Sequence, residues 1–181
     1  MSLFDIAIEP ILDDEGPFQC GGADPGNWTG GSVGAGRLVG TAWGISAAAF
    51  PTLDIASLTR EHAKALYRPL YWDKIGGDLL PPRLAVAALD AAINNGPGRA
   101  IRWIQSAAGV VSDGRLGPMT LAAIRRGDDE AMTVDFLSQR WWFMSQLATW
   151  PTFGRGWSRR LVRNSFRVAR AALATIQKEA A

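Results

Sequence analysis

The stretch ILDDEGPFQCGGADPGNWTGG, Ile11 to Gly31, changes character partway along. An apolar run ends in three acids, Asp13, Asp14 and Glu15, and Gly16-Pro17 stops any helix that precedes them. Read backwards, the pattern predicts a helix from about Leu3 to Asp14, with Phe4, Ile8, Ile11 and Leu12 on its apolar face. Pro10 lies inside that helix and is expected to kink or restart it, because proline lacks the N–H that the helix needs. Read forwards, nine glycines fall between Gly21 and Gly44, which predicts loop or a short irregular hairpin.

The rest of the chain is helical in pattern. Thr59 is a plausible N-cap for SLTREHAKALYRPLYWDKI, where Ala63, Leu66, Tyr67 and Leu70 recur at helical spacing. PPRLAVAALDAAINNG begins with prolines suited to a first turn and ends on Asn-Asn-Gly, a left-handed stop. Further helices are expected over Arg99–Ala108, Pro118–Arg126, Asp129–Thr149 and Trp157–Gln177. Apart from a small hairpin in the loop, no strand-period segment is evident, so the fold class is mainly α. A weak boundary near residue 85 divides the chain into 1–84 and 85–181, which are compatible with two lobes of one domain.

Composition narrows the function classes. The chain has 181 residues, 48% of them apolar and 20% charged, which is globular composition with enough chain for a core. No apolar run approaches the roughly 20 residues that span a bilayer. No secretory signal is readable at the N-terminus. One cysteine, Cys20, and one histidine, His62, argue against a disulfide framework or a multi-ligand zinc site. No metal and no cofactor is expected. Charge is unevenly placed: residues 1–36 hold six acids and no Lys or Arg, while seven basic residues follow from Arg155 onward against Glu179 alone.

Glu15 and Asp24 are the chemical candidates. A glutamate in the last turn of a helix is ordinarily solvated, and it faces the partial negative charge of the helix C-terminus. That setting, with apolar walls such as Phe18 or Trp43, would raise a carboxyl pKa and suit a general acid for glycosidic cleavage. Asp24 reads equally as turn chemistry within ADPGNWTGG or as a second carboxylate that stays ionised. Thr29 and Thr41 could each hold a water, and spacing does not choose between them.

EGPF, DPG, GTAWGIS, LDIASLTREHAKALYRPLYWDKI, ALDAAINNG and RAIRWIQSAAGVVSDGRLGPMTLAAI occur in that order. Together they resemble glycoside hydrolase family 108, the N-acetylmuramidases also called secretion activator proteins. The second half is similar to the predicted peptidoglycan-binding region commonly fused to them. The resemblance runs from about Phe4 to Trp157. It implies a lysozyme-like helical fold and cleavage of the β-1,4 bond between N-acetylmuramic acid and N-acetylglucosamine. The family's Glu-Gly-Gly-Tyr matches Glu15-Gly16-Pro17-Phe18, which implies that Glu15 is the catalytic acid. Its Asp-Pro-Gly matches Asp24-Pro25-Gly26, and its Thr-x-aromatic-Gly-Ile matches Thr41 to Ile45. Two departures stand out: Pro17 and Phe18 replace glycine and tyrosine, and NWTGGSVGAGRLVG lengthens the gap after Asp24. Thr29 lies nearer the usual distance from Asp24, whereas Thr41 carries the better local motif and is the preferred candidate.

Trp28, Trp43, Tyr71 and Trp72 are candidate sugar platforms, although aromatics at helical spacing are mostly core. Trp43, beside Thr41, is the preferred one. The resemblance also places Asn94 beside the cleft, where it would bind substrate if it does more than stop its helix. His62 reads as solvated, and Cys20 has no neighbouring base to activate it. Arg160, Arg163, Arg167 and Arg170 form one stripe on the last helix, either a solvated face or a docking surface for anionic wall polymer or membrane. No base-reading motif accompanies these arginines, so no nucleic-acid partner is expected. The expected partner is the peptidoglycan glycan strand, and the expected state is a monomer. Without a readable signal the protein would be made in the cytoplasm and reach the wall after holin-type or other release, as phage endolysins do. The competing readings are a lytic transglycosylase and a non-catalytic peptidoglycan-binding module.

Overall fold

The structure is a computed structural model that describes residues 2–179, with side chains described through residue 174. It is mainly helical, as the sequence predicts: a lysozyme-like fold class with one small hairpin after the first helix. In chain order the helices are α1 (Leu3–Glu15), α2 (Arg60–Tyr67), α3 (Pro82–Asn95), α4 (Pro97–Ala107), α5 (Pro118–Arg126), α6 (Asp129–Ser145) and α7 (Trp150–Glu179). Strands β1 (Thr41–Ala42) and β2 (Ile45–Ser46) pair antiparallel, Thr41 opposite Ser46. α1 runs through Pro10 as one helix. Pro69 instead falls in a π turn, Arg68–Trp72, that follows α2.

The chain divides into two compact units, Ile8–Tyr67 and Met1–Ala7 with Arg68–Ala181. In the smaller unit the second half of α1 contributes Ile8, Ile11 and Leu12, each at most 1% exposed. Each such side chain contributes about 1.5–3 kcal/mol by leaving water. Ala42, Ile45, Ala47, Ile55, Ala63 and Tyr67 complete that core. Thr59 caps α2: its Oγ1 accepts the His62 N–H at 3.2 Å. Charge also links α2 to α1. Arg60 bonds Glu9 through Nε at 2.6 Å and Asp13 through Nη2 at 2.8 Å, and Lys64 pairs with Glu9.

In the larger unit α3 is the central helix. Every residue from Leu84 to Ala92 is buried, and α4, α6 and α7 all pack on it. A helix buried all round must be apolar all round, and five alanines here let neighbouring helices come close. The exception is Asp90, 1% exposed. Its Oδ2 accepts from Nη1 of the fully buried Arg140 at 2.6 Å, and its Oδ1 from Nε of Arg160 at 3.2 Å. α3 stops at Gly96, whose φ of +88° favours glycine. Trp72, on the π turn, is fully buried beside Phe4, and its Nε1 donates to Asp78.

Arg160 and Arg167 turn toward Asp90, with side chains 25% and 11% exposed, whereas Arg163 and Arg170 lie on the exposed face of α7. The predicted stripe is therefore split lengthwise. Ile176, read as part of this helix, lies outside the described side chains. Among the described residues no helix is long and apolar enough to cross a membrane, and no cluster of three His, Cys, Asp or Glu could hold a metal ion.

Candidate functional site

Glu15 ends α1 and is solvent-exposed. The helix stops because Gly16 takes φ +77°, a conformation most side chains resist. From there the chain meets the β1–β2 hairpin: the Trp43 N–H donates to the Gly16 carbonyl at 2.9 Å. The hairpin loop is two residues, Trp43 at φ +53° and Gly44 at φ +76°. Both being left-handed makes it the tight turn whose twist matches paired strands. Tryptophan at positive φ is strained, and such strain collects where surrounding structure over-determines it. Here the Trp43 carbonyl accepts from the Tyr67 hydroxyl at 3.1 Å, and its indole N–H donates to the Leu58 carbonyl at 3.1 Å. Arg60 lies 5.4 Å from the centre of the indole ring.

Gly44 forms the seat for Glu15. A Cβ there would come within 3.2 Å of Glu15 Cγ and 3.3 Å of Cδ, and would also strike the Tyr67 hydroxyl. The acid end of α1 thus lies directly over the hairpin turn. Arg60 and Lys64 fix the preceding turns of α1 from α2, and the Lys64 ammonium above all, with Arg60, holds the Glu9 carboxyl below its ordinary value.

The other two catalytic candidates belong to one hydrogen-bonded chain. Asp24 Oδ1 accepts the Gly26 N–H at 2.8 Å, capping the 3-10 turn Pro25–Asn27. Its Oδ2 accepts from Gln19 Nε2 at 3.4 Å. Gln19 exchanges side-chain amide bonds with Asn27 at 3.0 and 3.1 Å. Asn27, fully buried, also donates to the Gly21 carbonyl at 2.9 Å and accepts the Thr41 hydroxyl proton at 2.7 Å. Gln19 pairs backbone to backbone with Thr41, both bonds 2.8 Å. Asp24, Gln19, Asn27 and Thr41 are therefore one array on one edge of the hairpin. Thr29 is elsewhere: its Oγ1 accepts the Arg37 N–H at 2.9 Å, within the inserted loop.

Gln19 and Asn27 escaped the sequence reading. Their signal is slight, two carboxamides among the residues flanking Asp24 in a segment with no hydrophobic period. Trp43 serves as a brace for the turn and remains half-buried. Trp28 donates its indole N–H to the Gly22 carbonyl, and Trp72 is core. Cys20 and His62 are both exposed. Asn94, in the larger unit, donates to the Asp90 carbonyl at 2.6 Å, one turn back along α3.

Residues 8–96 match the glycosyl hydrolase 108 family, and residues 99–162 match a predicted peptidoglycan domain. A solved structure, that of SagA from Brucella abortus, is similar with a TM-score of 0.76 at 32% identity, covering 93% of this chain and 94% of that one. No curated protein matches. An acid-tipped helix over a glycine-seated hairpin, in this helical fold, thus belongs to a glycoside hydrolase. The chain is a member of glycosyl hydrolase family 108, with a C-terminal peptidoglycan-type region that makes peptidoglycan its partner.

Proposed function

We propose that the protein is an N-acetylmuramidase that hydrolyses the β-1,4 bond between N-acetylmuramic acid and N-acetylglucosamine, with Glu15 as general acid. The observation that carries this reading is the seating of the Glu15 side chain over Gly44, on the hairpin that also presents Thr41. Glu15 protonates the bridging oxygen as the glycosidic bond lengthens and the anomeric carbon gains positive charge. A water completes the reaction at that carbon. Thr41 suits the orienting role: its only proton is committed to Asn27, so toward a water it can act only as acceptor. A water donating one hydrogen to Thr41 has a lone pair to offer. Asp24 supplies negative charge at the other end of the same array and steadies the oxocarbenium-like state. Trp43, held by Tyr67 and Leu58, shapes the floor of the site, and Asn94 is a substrate contact proposed on the resemblance.

Glu15→Gln keeps the size of the side chain and removes the transferable proton. The expected result is a loss of about 10²–10⁴-fold in reducing-end release from purified sacculi, with unchanged circular dichroism. Full activity in that variant would end the proposal. Products bearing 1,6-anhydro ends in place of reducing ends would reassign the enzyme as a lytic transglycosylase.

A further inference from the structure

The outer face of α6 and α7, in the larger unit, carries large apolar side chains in water. Trp141, Trp142, Val162, Phe166 and Leu173 are each between 47% and 64% exposed. Leu137, Trp141 and Trp142 on α6 line one groove with Leu161 and Val162 on α7. A second hollow shares Leu137 and Ser165 with the first and carries the same face on to Leu173. Along α7 the exposed residues Arg155, Arg159, Val162, Phe166, Arg170 and Leu173 are spaced 4–3–4–4–3, which sets them in a single stripe. Trp141 is steadied from α7 by the Trp150 ring at 6.0 Å. Contiguous exposed apolar surface of this kind marks a contact surface.

The charge around this face has one sign. From Phe136 to Lys178 the sequence holds eight Lys or Arg and no Asp or Glu. Asp90 takes Arg140, Arg160 and Arg167 inward. Arg155, Arg159 and Arg170 are exposed, and none of these three has an ion-pair partner among the described residues. Asp135, the nearest acid to Trp142 along α6, lies about two turns before it.

We propose that this face docks on the surface of an anionic phospholipid bilayer, with Trp142, Val162 and Phe166 entering below the headgroups and Arg155, Arg159 and Arg170 at the phosphates. Long arginine stems let the guanidinium stay at headgroup level while neighbouring apolar side chains go deeper. A neutral glycan would leave those arginines uncompensated, and a soluble polyanion would leave Trp142 and Phe166 in water. A second copy of the chain would bring the same positive charge to the contact, since a two-fold interface sets a surface against itself. An anionic lipid surface meets both the apolar and the cationic side chains. The inference concerns α6 and α7 alone and does not depend on the chemistry of Glu15.

The test is flotation of the full chain with vesicles of phosphatidylcholine alone and of phosphatidylcholine mixed with phosphatidylglycerol. The unaltered protein is expected to float with the mixed vesicles and to partition at least about tenfold more weakly onto phosphatidylcholine alone. Arg155→Gln, Arg159→Gln and Arg170→Gln together should weaken partitioning onto the mixed vesicles by about a hundredfold. Phe166→Ser should weaken it by about tenfold, the loss of one inserted apolar side chain. All four substitutions are at exposed positions, and circular dichroism checks that each variant is folded. The two vesicle types decide the matter on the unaltered protein even where a variant does not fold. No flotation, or equal flotation with both vesicles, overturns the proposal. Undiminished partitioning of the folded arginine variant or of folded Phe166→Ser overturns it as well, the latter by leaving plain charge attraction. A dimer in sedimentation that Phe166→Ser dissociates would assign the face to a second copy and overturn it too.

Discussion

The side chain of Glu15 rests on Gly44, close enough that a single added carbon at residue 44 would meet Glu15 Cγ at 3.2 Å and Cδ at 3.3 Å. The bare backbone of Gly44 leaves the room in which the acid sits. Gly44→Ala is therefore expected to displace Glu15 and to oppose the φ of +76° as well. The strain predicts a stability loss of about 1–2 kcal/mol. Displacement of the acid by an ångström predicts a fall in kcat of about 10²-fold. Thermal unfolding and turnover on sacculi read the two effects separately.

Thr41 and Asn27 can be tested as a pair. Thr41→Ser keeps the hydroxyl and should retain most activity. Thr41→Val removes it and strands an acceptor on buried Asn27, which predicts a loss of about 1–3 kcal/mol in stability. If the hydroxyl orients water, kcat falls in Thr41→Val while KM holds. Asn27→Asp is expected to be worse, because a carboxylate cannot donate to the Gly21 carbonyl or the Gln19 side-chain oxygen. Equal kcat in Thr41→Val and the unaltered protein would remove Thr41 from the mechanism.

Asp90 and Arg140 should behave as a unit. Asp90→Asn leaves a fully buried guanidinium without its counter-charge, and a loss of about 3–5 kcal/mol is expected on chemical denaturation. Replacing both partners, Asp90→Asn with Arg140→Met, should recover part of that loss, because no buried cation remains at residue 140. A double variant less stable than Asp90→Asn alone would contradict this account.

Acid should loosen the mounting of Glu15. The Glu9 carboxyl is held below its ordinary value of 4.5, chiefly by Lys64 and then by Arg60. A carboxyl with a depressed folded pKa stabilises the protein fully above its unfolded pKa, and that contribution is lost as pH falls through the folded value. The melting temperature should therefore drop below about pH 4.5, the unfolded carboxyl value. Glu9→Gln should flatten that part of the profile, and an identical acid limb in both proteins would exclude the Glu9 network as its source.

The helices were largely legible because their signals are local. Pro82 and Gly96 bracket α3, Pro118 opens α5, and Thr59 caps α2, each for a reason contained within one turn of chain. The start of α7 was not legible. Gly154 and Gly156 made Trp157 look like its first residue, yet the helix begins at Trp150. Tertiary packing outweighs propensity there: Trp150 meets Trp141 and Trp157 at ring separations of 6.0 Å, and its ring lies where a Cβ on Gly154 would go. At the candidate site, Glu15 and Thr41 carried local motifs, but the Gln19–Asn27 hub joins residues 8 and 14 apart across glycines. Such spacing leaves no periodic trace. The left-handed Trp43 was equally hidden, since its conformation is imposed by Tyr67 and Leu58 rather than by its own preference.

The inserted segment between Trp28 and Leu38 closes on itself. A bridge joins those two residues, Thr29 and Gly30 donate to Arg37 and Ala35, and its exposed tip is small residues. A loop pinched at its neck can change length at the crown while its base stays put. Residues 32–34 are thus a natural splice point, where a reporter, an affinity handle or a foreign targeting module can be grafted while the Trp28–Leu38 neck stays closed.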